Sequence, residues 1–176
     1  MNGLRLSTSH LTLPRPLRPA TTLRPVALTD AAVAVMTDFA HEHPITVTEA
    51  RRIEDALEDM IRFGVRALLV VRDDRVSGLI TSYDIQGERP LKFLQSSTYT
   101  RHDEVQVGHV MTPWEQLPVL DWQDVRAAHV ADVLAVFRAS AATHLVVRES
   151  NDHGAWLVRG LMSSTRLDRQ LAAARG

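Results

Sequence analysis

Residues 76–85 read Val76-Ser-Gly-Leu-Ile-Thr-Ser-Tyr-Asp-Ile85. An apolar run ends at Thr81, and an acid stands three positions later. Val76–Ile80 has the composition of a strand, and Thr81 is placed to open a helix through its hydroxyl. The Thr81–Asp84 spacing is that of a capping box, although Glu or Gln is the usual partner there. That reading needs no ligand. The same residues also gather a hydroxyl, the unpaired N–H groups of a helix start and a carboxylate at one mouth. An ionised carboxylate offers only acceptors, and a pair of neighbouring hydroxyls offers donors. A helix start suits an anion. The stretch is therefore either a cap alone or a cap that also holds something.

The surroundings of this stretch occur twice. Met36-Thr37 returns as Met111-Thr112, 75 residues on. Ala67-Leu-Leu-Val-Val-Arg72 aligns with Thr143-His-Leu-Val-Val-Arg148, 76 residues on, and Gly78-Leu-Ile-Thr81 with Gly160-Leu-Met-Ser163, 82 residues on. The last step falls in a turn, Asp73-Asp-Arg75 in the first copy and the longer Glu149-Ser-Asn-Asp-His-Gly154 in the second. Repeats place their insertions in loops. Ile53, Ala56, Leu57, Met60 and Ile61 recur at helical spacing opposite a charged face, and Gly64 follows as a stop signal. Ala67–Val71 reads as a buried strand. Val130, Val133, Leu134 and Phe137, then His144–Val147, then Trp156–Met162 repeat the order helix, strand, strand, with a helix after each.

Composition sets limits around the repeat. The chain has 176 residues, 45% hydrophobic and 5% aromatic, with a net charge of −1 and no cysteine. Disulfides, thiolate nucleophiles and Cys-based zinc sites are excluded, and a cytoplasmic setting is expected. No global field recruits nucleic acid or membrane, and no apolar run reaches a membrane span. Residues 1–29 carry Arg5, Arg15, Arg18 and Arg24, four of the eight prolines and no acid. They read as a basic, Pro-rich arm. The organisation expected is arm 1–29, first repeat 30–95, polar connector 96–109 and second repeat 110–176.

Val35-Met-Thr37 and Val110-Met-Thr-Pro113 before each copy, the Leu-Val-Val strands and Gly78-Leu-Ile-Thr-Ser-Tyr-Asp-Ile85 resemble a tandem pair of CBS domains, over about residues 30–172. The resemblance implies an α/β fold of two CBS-type repeats related by a pseudo-twofold axis, sheets facing each other, each sheet with two helices on one side. It implies clefts between the repeats that take an adenosine-containing ligand: AMP, ADP, ATP or S-adenosylmethionine. Carried onto this sequence, Asp84 would grip the ribose, with Thr81, Ser82 and the helix start toward phosphate. Gly78 would admit the backbone closely. Ile80 and Val65, with Ala67, would flank the adenine, and Thr46 would reach the ligand. Thr143 and His144 of the second copy would lie near the same cleft, His144 toward phosphate or as an ordinary structural histidine.

The second copy departs from the first. It keeps a hydroxyl at Ser163 but has Arg166 where the acid belongs. Arginine accepts no hydrogen bonds, so this second site is degenerate and one adenosine site per chain is expected. Arg166 is read as a surface residue, paired with Asp168 or solvent, with an anion as the alternative. His41-Glu-His43 lacks an evident third ligand, and no metal is expected. Nucleophile elbow, Walker loop and metal triad are all missing, so an enzyme is not expected. The function expected is a ligand-sensing regulatory module acting on a separate effector protein. The alternative is a dimeric scaffold with vestigial clefts. Leu91–Leu94 and Leu167–Ala174 are the apolar segments offered for a homodimer face, with Phe93, Leu94 and Trp114 open between dimer face and core.

Overall fold

The computed structural model describes residues 23–98, 101–151 and 155–174. Most of the N-terminal arm therefore lies outside the described residues, as do two positions of the connector and Asp152-His-Gly154 of the second turn. The strands are β1 (Met36–Asp38), β2 (Thr46–Thr48), β3 (Ala67–Arg72), β4 (Arg75–Thr81), β5 (Thr112–Pro113), β6 (Val119–Asp121), β7 (His144–Ser150) and β8 (Trp156–Ser163). The helices are α1 (Ile53–Phe63), α2 (Ser82–Gln86), α3 (Arg89–Ser96), α4 (Val107–Val110), α5 (Trp122–Ala127), α6 (Val130–Ser140) and α7 (Ser164–Ala173). Among the described residues the strands form two four-stranded sheets, ordered β2-β3-β4-β5 and β6-β7-β8-β1. The two orders have the same pattern: a parallel first pair, then two antiparallel pairs. The helix–strand–strand–helix repeat read from the sequence is thus realised twice. No described helix is long and apolar enough to cross a membrane.

Strand exchange ties the units together. β1, which precedes the first repeat, pairs with β8 of the second, Met36 opposite Met162. β5, which precedes the second repeat, pairs with β4 of the first, Leu79 opposite Thr112. The cores follow the sheets. One gathers Val47, Ile53, Met60, Leu68, Val70 and Ile80 with Val105, Val107 and Val110. The other gathers Val26, Val35 and Met36 with Val130, Phe137, Leu145, Val147, Met162 and Leu167. The connector read as polar therefore supplies two core valines, Val105 and Val107, and Val110 follows from the segment assigned to the second repeat. Val26, near the end of the arm, packs into the second core and its N–H donates to the Gln170 carbonyl.

The faces of the strands correct the alignment of the repeats. Leu68, Val70 and Ile80 point into one core and Leu145, Val147 and Met162 into the other. Val70 lies opposite Gly78, and Val147 opposite Gly160. Ala67 is therefore the counterpart of His144, not of Thr143. The shared Leu-Val-Val-Arg letters had placed the strands one residue out, and a one-residue slip reverses every side chain. Leu69, Leu79 and Val146 are buried but belong to neither core, which puts them between the facing sheets. Both faces of β3 and β7 are thus covered, and continuous apolar runs result.

Two surface expectations change. Leu167 is buried in the second core, so Leu167–Ala174 is not a free apolar segment. Phe93 and Leu94 pack against the first core, and the Phe93 ring stacks on His109 at 4.1 Å. Leu91 stays exposed.

Candidate functional site

Thr81 ends β4 with extended backbone and caps α2. Its Oγ1 accepts the Asp84 N–H at 3.2 Å, and Asp84 Oδ2 accepts the Thr81 N–H at 2.8 Å and the Thr81 hydroxyl at 2.7 Å. The capping box foreseen for this stretch is complete. Asp84 Oδ1 is met by Arg89 Nη1 at 2.9 Å. The same nitrogen donates to the Val110 carbonyl at 2.8 Å and Thr112 Oγ1 at 3.0 Å. A carboxylate has about four lone-pair sites. Three of them are occupied here, and the remaining one is on Oδ1.

These groups face a cavity of about 540 Å³ between the units, within the usual range of small-molecule sites. Thr81, Asp84, Arg89 and Thr112 line it from one side. Glu115–Pro118 and 140–144, the end of α6 and the start of β7, line it from the other. His144 is buried beside it, its Nδ1 3.1 Å from Thr143 Oγ1. Burial pushes its pKa down to about 4, against the opposing pull of the Asp84 charge. The imidazole is therefore neutral at pH 7.

A second cavity, about 420 Å³, opens on the other side of His144, which lines both. Its walls include Phe39, Val65 and Leu161, and its polar lining includes Arg66, Arg166, Arg169, His43 and Glu42. Arg166 donates through Nη1 to Thr37 Oγ1 at 2.8 Å. It is a half-buried wall of this cavity, not the surface residue expected, because β1 crosses beside the start of α7 and offers it an acceptor. Ser163 is the N-cap residue of α7 but makes no side-chain cap.

The residues singled out in the sequence thus separate. Thr81, Asp84, Thr143 and His144 share the first cavity; Val65, Ala67, Ser163, Arg166 and again His144 share the second. Thr46 is exposed on the edge strand β2 and lines neither. Ser82 lines neither; its N–H donates to the Arg66 carbonyl. Ile80 is wholly inside the first core, because it alternates with Leu79 and Thr81. Gly78 does admit a close backbone, but that backbone is β5: a Cβ there would lie 2.5 Å from the Thr112 carbonyl oxygen. Arg89, Thr112, Arg66 and Arg169 were missed. Arg169 stands at i+3 from Arg166, a same-face helical spacing legible in the sequence. Arg89 was read only as part of a helix break.

The family model for the CBS domain matches residues 34–89. No curated protein matches the chain. Among solved structures, a protein with CBS domains from Burkholderia ambifaria MC40-6 is 24% identical, with a TM-score of 0.55 over 76% of this chain and 85% of that one. CBSX2 from Arabidopsis thaliana in complex with AMP is 19% identical, with a TM-score of 0.53 over 84% and 99%. The CBS domain of the bacterial CNNM/CorC family Mg2+ transporter in complex with ATP is 13% identical, with a TM-score of 0.55 over 82% and 89%.

Proposed function

We propose that this chain, whose residues 34–89 match the CBS-domain model, is a regulatory module that senses an adenine nucleotide in the first cavity. One observation carries the reading. The half-occupied oxygen of Asp84 and the guanidinium of Arg89 face the same cavity between the units. A ribose hydroxyl donates to Asp84 Oδ1, and Arg89 turns toward phosphate. Neutral His144 offers a ring nitrogen without the cost of a buried charge. AMP is the first candidate, ADP and ATP extend its phosphate, and S-adenosylmethionine tests the need for one. Two of the similar structures hold AMP and ATP.

The ligand acts by population shift. It touches both units, so it favours the arrangement in which they close on it and alters the surface offered to a separate effector protein in the cytoplasm. Two copies pair through exposed helix faces, where Ile61 and Leu91 stand 71% and 58% exposed. A second reading is a dimeric scaffold whose clefts are vestigial. It is favoured by the fact that Asp84 is already engaged by the cap and Arg89.

Calorimetry with AMP, ADP, ATP and S-adenosylmethionine on the wild type and Asp84→Ala separates the two. The sensor reading expects saturable binding that Asp84→Ala weakens by roughly ten- to a hundredfold, the scale of a charged hydrogen bond. The scaffold reading expects no binding at millimolar concentration and a cap loss of about 1 kcal/mol in the variant.

A further inference from the structure

We propose that Arg89 is a latch on β5 that a ligand phosphate opens, so that the first cavity reports its occupancy to the strand that ties the two units together. The inference rests on the nucleotide reading above and names the means by which that site regulates.

A single nitrogen makes all of the contacts. Arg89 Nη1 meets Asp84 Oδ1 at 2.9 Å, the Val110 carbonyl at 2.8 Å and Thr112 Oγ1 at 3.0 Å. Three acceptors thus share the protons of one nitrogen, although a guanidinium has donors on all three. Among the described residues, no hydrogen bond or ion pair engages Nη2 or Nε. The Arg89 side chain is 46% exposed, and Arg89, Asp84 and Thr112 line one cavity. A phosphate there offers the guanidinium a forked, charge-assisted contact, stronger than its bonds to a carbonyl and a hydroxyl. A ribose hydroxyl on Asp84 Oδ1 competes for the third contact. The bonds that hold β5 are therefore ones that a nucleoside phosphate draws away.

β5 has little else of its own. It is Thr112–Pro113, paired with Leu79 and Gly78. Proline has no N–H, so Thr112 brings the only amide proton of the strand. Val110 is buried in the first core and stays in place when the latch opens. The half-buried Thr112 and Pro113 are the residues released. Glu115–Pro118 follow directly and line the cavity from its other side, so movement of β5 is passed toward β6. The second unit supports the role. Its crossing strand β1 is also held by an arginine on a threonine, Arg166 Nη1 to Thr37 Oγ1 at 2.8 Å. Among the described residues Arg166 has no carboxylate within ion-pair distance, whereas Arg89 shares its nitrogen with Asp84. Both crossing strands are strapped, and only the strap on β5 is joined to the ribose acceptor.

The readout is amide hydrogen exchange of residues 110–117 in the full chain. In the free protein, Arg89→Ala is expected to exchange there about fivefold faster than the wild type, the scale of losing a hydrogen bond. Thr112→Val removes one acceptor and keeps the arginine, and a smaller rise is expected. Arg126→Ala, at an exposed arginine elsewhere, is expected to match the wild type. Saturating AMP is expected to speed exchange in the wild type by a similar factor and to add nothing in Arg89→Ala. Adenosine, which has no phosphate, is expected not to speed it. A merely structural arginine would give the first result without the AMP effect. Inorganic pyrophosphate is expected to act as AMP does, and it separates the latch from the nucleotide reading. If pyrophosphate speeds exchange while calorimetry shows no AMP binding, the nucleotide reading fails and the latch stands. The latch is overturned if Arg89→Ala and Thr112→Val exchange like the wild type, if neither AMP nor pyrophosphate speeds exchange, or if adenosine speeds it as much as AMP.

Discussion

His144 is the residue on which both cavities depend, since its ring is a wall of each. The sequence placed it near the first cleft but could not show that it bounds two. It also has a cost that varies with pH. Its folded pKa lies near 4, below the ordinary value of 6.5. Between those values the unfolded chain takes up a proton that the folded chain refuses. Stability is therefore full above about pH 6.5 and is lost as pH falls toward 4, by about 2 kcal/mol between pH 7 and pH 5 from this group alone. Urea unfolding of the wild type and His144→Gln at both pH values measures it. The gap between the two proteins should narrow, or reverse, by that amount at the lower pH. A parallel response in both would mean that His144 titrates normally. Asp84 carries the opposite lesson. Its cap was legible, because a capping box is a local pattern. Its pairing with Arg89 was not, because the arginine is steered there by Val110 and Thr112, more than twenty residues away.

Among the elements, the short strands β1 and β5 decide the most. Helices α1 and α6 and the hairpins β3–β4 and β7–β8 could be read from periodicity. A strand of two or three residues carries no period, so the partner of Met36-Thr37 could not be read at all. Its signature is indirect: a glycine wherever the crossing strand leans on the hairpin. A Cβ on Gly78 would lie 2.5 Å from the Thr112 oxygen, and one on Gly160 would lie 2.6 Å from the Thr37 oxygen. Both contacts are with backbone, which cannot rotate away. Gly78→Ala and Gly160→Ala should each cost about 1–3 kcal/mol, the scale of overpacking. Denaturant midpoints would register this, and a loss below about 0.5 kcal/mol in either variant would show that the strand can retreat. The one-residue slip in the aligned repeats has the same origin. Letters repeat by chance over four positions, but which face meets the core is set by the whole sheet.

Across the whole molecule, the exchange of strands makes the two cores share their segments. A fragment 23–98 would contain every residue of the first helix and hairpin but lack β5 and the valines at 105, 107 and 110. A fragment 40–116 would contain all of one sheet and its core. The shorter-looking loss matters more, because three fully or nearly fully buried valines are worth roughly 1.5 kcal/mol or more each. Fragment 40–116 should show a cooperative unfolding transition by circular dichroism, and fragment 23–98 should not. Folding of 23–98 alone would mean that β5 and its valines are dispensable.

The crossing of β1 also sets an order of events on the ribosome. One unit is complete once Pro113 has emerged. The other begins earlier, with Val26 and Met36, yet its strand partner at Met162 is made only after the whole of the neighbouring unit. The opening segment must therefore remain uncommitted while a whole neighbouring unit forms around the chain that follows it. Contacts so far apart in sequence close slowly. Until Met162 is made, β1 is a strand that has nothing yet to join.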